Sequence, residues 1–192
     1  HLLFLIAHGA GSVVILNSTG IPKTLQKAIG ETNHLFSVLF NSAERISTCS
    51  VEDSGGLPVA IVQAPLIERP YTSLNYINRK KKIGDILRYL TDCCDTEIKM
   101  SAGEIEDLGT ISCDSDACTQ CLACLNSCKI QALEADSSVL ELTWQGALCV
   151  GCGLCISTCP EDALSRPATV LLDKSYFAPK TIAKADPVKC KE

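Results

Sequence analysis

The sequence lacks several features that would mark a membrane protein, a nucleic-acid-binding protein or a histidine-based metal protein. It has three histidines, one methionine and 5% aromatic residues among 192 residues. The longest apolar run, Leu2–Ala7, is far shorter than the roughly 20 residues that a membrane-spanning helix needs. No basic region precedes that run, which argues against a secretory signal. The net charge of −5 argues against broad nucleic-acid binding.

Residue patterns typical of hydrolases and nucleotide-dependent enzymes are also missing. No Ser/His/Asp or paired-carboxylate pattern occurs, and His8 and His34 are lone histidines, which favours packing or surface roles. Gly9-Ala10-Gly11 precedes a predicted strand, whereas a dinucleotide fingerprint follows a strand and opens a helix. The basic run 78–82 is typical of a solvated face, and the alternative is a docking patch for an acidic partner.

Cysteine, in contrast, is abundant, and its spacing is regular. Eight of the thirteen cysteines form the pattern C-x2-C-x2-C-x3-C twice, with 31 residues between equivalent positions. The first run is Cys118, Cys121, Cys124 and Cys128, and the second is Cys149, Cys152, Cys155 and Cys159. This spacing is the ligand pattern of proteins that hold two [4Fe–4S] clusters.

In such proteins the fourth cysteine of each run ligates the other cluster. The cluster I set is therefore expected to be Cys118, Cys121, Cys124 and Cys159, and the cluster II set Cys149, Cys152, Cys155 and Cys128. Zinc is disfavoured because its sites use separated Cys-x2-Cys pairs. A disulfide framework is disfavoured because thirteen is odd and the cysteines lie too close in the chain to pair locally.

The repeat extends beyond the cysteines. Ala132-Leu133 and Ala163-Leu164 follow the two runs at the same offset, and we expect each pair to form a short helical turn beneath the clusters. Small residues, Ala123 in one loop and Gly151 and Gly153 in the other, are expected to let backbone N–H groups approach the sulfur atoms. Lys129 replaces the Pro160 of the second run, which adds a positive charge near cluster II.

The residues before the cysteine runs alternate between strand and helix patterns. They predict an α/β domain over residues 1–97 with a small, mainly parallel sheet. The cysteine runs predict that an α+β ferredoxin-like two-cluster domain follows over residues 110–168. The expected elements are a helix ending at Ala7 before Gly9, strands over Ser12–Leu16 and Arg45–Val51, a helix after Pro22, an extended segment Val59–Val62 and a helix over about Leu74–Asp92.

Residues 169–192 are predicted to be an extended C-terminal tail with a strand at Val170–Leu172. Pro179 and Pro187 argue against a helix through Ser175–Glu192.

The other cysteines and the single tryptophan have less specific interpretations. Cys49, Cys93 and Cys94 are expected to be small buried hydrophobic residues. Cys113 is expected to be a spectator beside the clusters. Trp144 precedes the second run by five residues, and it either shields a cluster from water or packs in the core.

Residues 113–164 resemble the bacterial-type 2[4Fe–4S] ferredoxin domain through the two cysteine runs. The whole chain resembles cytoplasmic iron–sulfur proteins in which an α/β domain precedes a ferredoxin module, often encoded beside redox enzymes such as formate dehydrogenases. That resemblance uses His8-Gly9-Ala10 before the strand SVVIL, Ile83–Leu90 and Asp186–Cys190. In that group the tail ends in a further Cys-x2-Cys, so we expect sequence beyond Cys190; Met100 as the sole methionine suggests the same before His1.

The α/β part is also similar to the delta-type subunit that links hydrogenase to heterodisulfide reductase. That subunit has [2Fe–2S] cysteines that are not found here, so the resemblance implies a docking role. We therefore expect a cytoplasmic electron carrier, or an electron-transfer subunit of a redox complex, with two [4Fe–4S] clusters, protein redox partners and no enzymatic activity of its own. The alternatives are an oxidoreductase subunit whose α/β domain binds a flavin or nucleotide, and a structural iron–sulfur interaction module.

Overall fold

The structure is a computed structural model that describes residues 2–41, 44–50, 79–94 and 98–185. The chain divides into two compact units, the first comprising residues 1–78 and 86–98, the second residues 79–85 and 99–192. The expected segment Val59–Val62, the start of the helix predicted from about Leu74, and Cys190 lie outside the described residues. Within the described ranges, no helix has the length and apolar character needed to cross a membrane.

The first unit is built around a strand–helix–strand arrangement. Its elements are α1 (Leu2–Ala7), β1 (Val13–Asn17), α2 (Lys23–Phe40), β2 (Ile46–Ser50) and the later part of α3 (Arg79–Asp92). β1 and β2 pair in parallel, and α2 is the crossover between them. The predicted elements are confirmed here, with α1 ending before Gly9 and α2 beginning after Pro22.

The core of this unit lies on the inner faces of its helices and β2. Buried side chains come from α1 (Ile6), α2 (Leu35, Phe36, Leu39), β2 (Ile46) and α3 (Ile86, Leu87, Leu90). Arg45 is also buried, and its guanidinium lies 5.4 Å and 5.2 Å from the ring centres of Phe36 and Phe40. Burial lowers the pKa of Arg45, and the two aromatic faces offset part of the cost of burying its charge.

Asn33 connects α2 to the start of β2. Its Oδ1 accepts hydrogen bonds from the amides of Arg45 (3.1 Å) and Ile46 (2.9 Å), and its Nδ2 donates to the Ile46 carbonyl (2.7 Å). The three bonds satisfy backbone groups at the point where the second strand enters the sheet.

We expect Asn33→Ala to destabilise this entry by about 1–3 kcal/mol, because it leaves backbone donors of β2 without their acceptor. Native-state hydrogen exchange at the Ile46 amide measures the change. Ser37→Ala is the matched control, since Ser37 is exposed and donates only within α2, to the His34 carbonyl. Equal protection of Ile46 in both variants would contradict this role of Asn33.

The described part of the second unit contains three small sheets and several short helices. Its elements are β3 (Ile98–Ser101), β4 (Ser112–Cys113), α4 (Ala123–Ser127), β5 (Leu133–Asp136), β6 (Glu141–Trp144), a 3-10 helix (Gly146–Leu148), α5 (Leu154–Ser157), β7 (Leu164–Ser165), β8 (Thr169–Leu172), α6 (Lys174–Phe177) and β9 (Lys180–Lys184). β4 pairs with β7, β3 with β8, and β5, β6 and β9 form a three-stranded sheet.

The Ala-Leu pairs of the repeat correct one expectation. Leu133 begins β5 and Leu164 begins β7, so the predicted helical turns are strands. Ala132, Leu133, Ala163 and Leu164 are all buried. The equal offset therefore reflects a strand that enters the core after each cysteine run: β5 pairs with β6, the next strand in the chain, and β7 pairs with the earlier β4.

Residues after Ser165 correct a second expectation. The strand predicted at Val170–Leu172 is confirmed within β8, but Lys174–Phe177 is the helix α6, capped by Asp173, whose side chain accepts from the Tyr176 amide at 2.9 Å. β9 is extended as predicted, yet it pairs with β6 as part of the sheet. Tyr176 and Trp144 pack edge-on with ring centres 5.9 Å apart, so this segment contributes to the core.

Candidate metal centre

The structure distributes the eight cysteines of the two runs between two cavities. Cavity I is lined by Cys118, Cys121, Cys124 and Cys159, and cavity II by Cys128, Cys149, Cys152 and Cys155. Each group contains three cysteines of one run and the fourth cysteine of the other run. The remaining walls are mainly apolar, including Leu142 and Leu164 at cavity I and Ile130 and Ile156 at cavity II.

The backbone of the two cysteine loops repeats with the same 31-residue offset as the cysteines. Positive φ angles occur at Gln120 (55°) and Gly151 (67°), and again at Leu122 (61°) and Gly153 (78°). A short helix follows each loop, α4 after the first and α5 after the second. The chain thus forms the same loop twice, with glycine in the left-handed conformation in the second copy and non-glycine residues in the first. Each non-glycine residue in this conformation costs roughly 1–3 kcal/mol.

Backbone amides donate hydrogen bonds to cysteine sulfur atoms around cavity II. The Gly151 amide lies 3.5 Å from Cys149 Sγ, and the Ala132 amide lies 3.3 Å from Cys128 Sγ. Donors of this kind stabilise negative charge on sulfur, which suits thiolates that ligate a metal.

The thiols themselves are mutually repulsive as anions. Burial raises the pKa of Cys124 and raises that of Cys155 to about 11. At Cys124 the Leu125 amide opposes the effect of burial on the pKa and Cys118 adds to it; at Cys155 the neighbouring Cys149 adds to it and the Ile156 amide opposes it. Four converging thiolates therefore need a cationic partner, and an iron–sulfur core supplies the required positive charge.

Gly109 holds the loop that carries Cys149. Its amide donates to the Cys149 carbonyl at 3.2 Å, and its own carbonyl accepts from the Tyr176 hydroxyl at 3.1 Å. A Cβ atom at position 109 would collide with the Gly151 amide and would lie 2.6 Å from Cys149 Sγ. Gly109 and Tyr176 are therefore functional neighbours of cavity II that the cysteine pattern does not reveal.

Trp144 is buried and packs in the core, and it also lines cavity II. Its Nε1 is buried, and among the described residues it has no hydrogen-bond acceptor. An orphaned donor beside four cysteines fits a bound group that is rich in acceptor sulfur.

Four of the five remaining cysteines lie among the described residues, outside the two ligand sets. Cys113 lies beside the cysteines of cavity I: burial first, and then Cys118, raise its pKa to about 12, in keeping with a neighbour of that set. The expectation that Cys49, Cys93 and Cys94 are buried is wrong. Cys93 is exposed and the other two are half-buried, because each lies near the end of its strand or helix.

The donor sets fit iron–sulfur clusters. Four cysteines line each cavity, and thiolate is the ligand type that iron–sulfur clusters take.

Comparison with known proteins adds one finding. Residues 117–164 match the family model described as a 4Fe-4S dicluster domain. A search of curated proteins gave no match to the chain. The matched segment contains all eight cysteines of the two runs, and it identifies two [4Fe–4S] clusters as the cofactors and electron transfer through iron–sulfur clusters as the indicated function.

Proposed function

We propose that the chain is a ferredoxin-type electron carrier, or an electron-transfer subunit of a redox complex, with crossed ligation of its two clusters. Cys118, Cys121, Cys124 and Cys159 hold cluster I, and Cys149, Cys152, Cys155 and Cys128 hold cluster II. The observation that carries the proposal is the three-plus-one grouping of these cysteines in cavities I and II.

Crossed ligation connects the two sites through the chain. The helix α4 lies between Cys121 of the first run and Cys128, and α5 lies between Cys152 and Cys159. Each run therefore leaves one cavity after three cysteines and delivers its fourth to the other cavity. Two cofactor sites formed in this way lie within one small body, as electron transfer between them requires.

The residues around the sites serve to hold and insulate the cofactors. When bound, the clusters supply reversible one-electron exchange. Apolar walls limit water access, the amides of Gly151 and Ala132 stabilise thiolate charge, and Trp144 closes one wall of cavity II. Among the described residues that line the two cavities, none provides the acid–base pair of a bond-making reaction, which favours a carrier.

The α/β domain, residues 1–97, is proposed to dock the carrier to a protein redox partner. Its described part offers a parallel strand pair with a crossover helix. We also propose a reducing compartment such as the cytoplasm, because ligand thiols must stay reduced until the clusters are assembled.

Electron transport by the anaerobically purified chain tests the function. The protein is reduced by dithionite and then separated from excess reductant. It should then reduce close to two equivalents of cytochrome c per chain, one from each cluster, and should do so over repeated cycles. If the protein retains its iron but accepts no electrons reversibly, the structural alternative is supported. Flavin released on denaturation would favour the oxidoreductase alternative.

A further inference from the structure

We propose that the two sites have unequal reduction potentials, with cluster II the easier to reduce, and that Arg166 and Glu161 set much of the difference. The inference deepens the proposed function and rests on its ligand assignment. Three separate features of the described residues point in the same direction.

The first feature is a cation at cavity II. Arg166 lines this cavity, and its guanidinium donates to the Gly151 carbonyl in the loop between Cys149 and Cys152. Its Nη2 also lies 3.0 Å from the position of a Cβ on Gly153. A guanidinium remains charged at all relevant pH values, so it stabilises the additional negative charge of a reduced cluster.

The second feature is an anion at cavity I. Glu161 lines this cavity, and its Oε1 lies 3.5 Å from the Thr119 hydroxyl, which donates to it. A carboxylate opposes the arrival of a further electron. Apart from cysteine, Arg166 is the sole ionisable side chain among the described residues that line cavity II, and Glu161 among those that line cavity I.

The repeat shows that these charges are departures from an otherwise symmetric module. The 31-residue offset places Ala135 at the equivalent of Arg166, and Ile130 at the equivalent of Glu161. Ile130 lines cavity II, so the position that is a carboxylate at cavity I is an apolar side chain at cavity II. Each cavity has therefore acquired one charge that the other cavity lacks, and the two charges have opposite signs.

The third feature is the distribution of backbone donors. Cys149 and Cys128 of cavity II accept from the amides of Gly151 and Ala132. Among the described residues, no backbone amide donates to the sulfur of their repeat equivalents, Cys118 and Cys159, whereas nearby amides act on both Cys124 of cavity I and Cys155 of cavity II. Hydrogen bonds to sulfur raise the reduction potential of a cluster, so this difference acts in the same sense as the charges. Within the module, downhill electron flow then runs from cluster I to cluster II.

The test is an EPR-monitored redox titration of the holoprotein at low ionic strength, where exposed charges are least screened. Arg166→Gln should decrease the equilibrium constant for reduction of cluster II by about fivefold or more; a tenfold change corresponds to about 59 mV for one electron. Glu161→Gln should raise the potential of cluster I. Arg166→Lys should retain most of the wild-type value, because it keeps the charge. Lys174→Gln removes a positive charge from an exposed residue that lines neither cavity, and should shift neither potential.

The double variant Cys121→Ala/Cys159→Ala, which keeps the cluster II set, identifies the cluster II signal. If it does not retain that cluster, the ligand assignment is wrong and the proposed function fails at that point. If the assignment holds, but Arg166→Gln and Glu161→Gln both keep their irons and the wild-type potentials, the charge account alone is overturned. If Arg166→Gln loses iron, the potentials of Glu161→Gln and Arg166→Lys provide the test instead. A cluster II potential that falls in Arg166→Lys by as much as is expected for loss of the charge would also overturn the charge account.

Discussion

Replacing Cys121 and Cys159 together by alanine should leave about four irons per chain, whereas replacing Cys121 and Cys128 should damage both sites and leave far fewer. The first pair comes from two different runs but lines one cavity, and the second pair comes from one run but lines two cavities. Crossed ligation predicts this reversal, because only the first double variant keeps a complete set of four thiolates.

The two variants are matched, since each removes two cysteines and shares the change at Cys121. Iron and acid-labile sulfide analysis after anaerobic purification gives the answer, and EPR of the reduced protein reports whether the surviving cluster is a normal [4Fe–4S] species. The opposite ranking, with four irons retained when Cys121 and Cys128 are lost, would mean that each run holds its own cluster.

Gly109→Ala should abolish or severely weaken cluster II while cluster I persists. The new methyl group would collide with the Gly151 amide and lie 2.6 Å from Cys149 Sγ, and all of these atoms belong to the ligand loop. Overpacking typically costs about 1–3 kcal/mol where side chains can shift, but here the obstacles are backbone and a ligand. We expect iron content to fall from about eight towards about four per chain.

Gly30→Ala is the control, because Gly30 lies in the interior of α2 and a Cβ there meets nothing within 4 Å. Alanine is the better helix former, so this variant should be neutral or stabilised by up to about 1 kcal/mol, with full iron content. Normal iron content and normal EPR of both clusters in Gly109→Ala would show that the ligand loop is not held as described.

The cysteine spacing made the candidate site accessible from sequence, because a duplicated ligand pattern is written in local residue order. The loop geometry was partly accessible. Gly151 and Gly153 indicate a left-handed backbone, and the 31-residue offset transfers that conformation to Gln120 and Leu122, although neither residue type favours it. The backbone conformation of the first loop is therefore better predicted by aligning it with the second loop than from its own residue types.

Contacts between distant positions were not accessible. Gly109 approaches the Cys149 loop, and Tyr176 donates to Gly109 across 67 positions of the chain. Neither residue stands out in the sequence, and the packing that joins them depends on where β8 and α6 fold back. Arg166 similarly reaches Gly151 across 15 positions, which no local periodicity indicates.

After Ser165, local sequence signals were sufficient to predict some secondary structure but not how the strands pair. Asp173 is a favourable N-cap and its side chain does accept from Tyr176, so the short helix α6 had a readable start. For β9 the sequence indicated an extended chain, but its partner β6 lies some 40 residues earlier, as the Thr181–Glu141 contact shows. Extended conformation is a local property, whereas membership of a sheet is not.

The central claim is that this chain carries electrons on two [4Fe–4S] clusters, and quantitative reduction of the anaerobically purified protein tests it most directly. Iron and sulfide analysis combined with EPR-monitored titration should give about eight irons and eight sulfides per chain and two reversible one-electron reductions. A stoichiometry near four irons, or eight irons that undergo no reversible reduction, would contradict it.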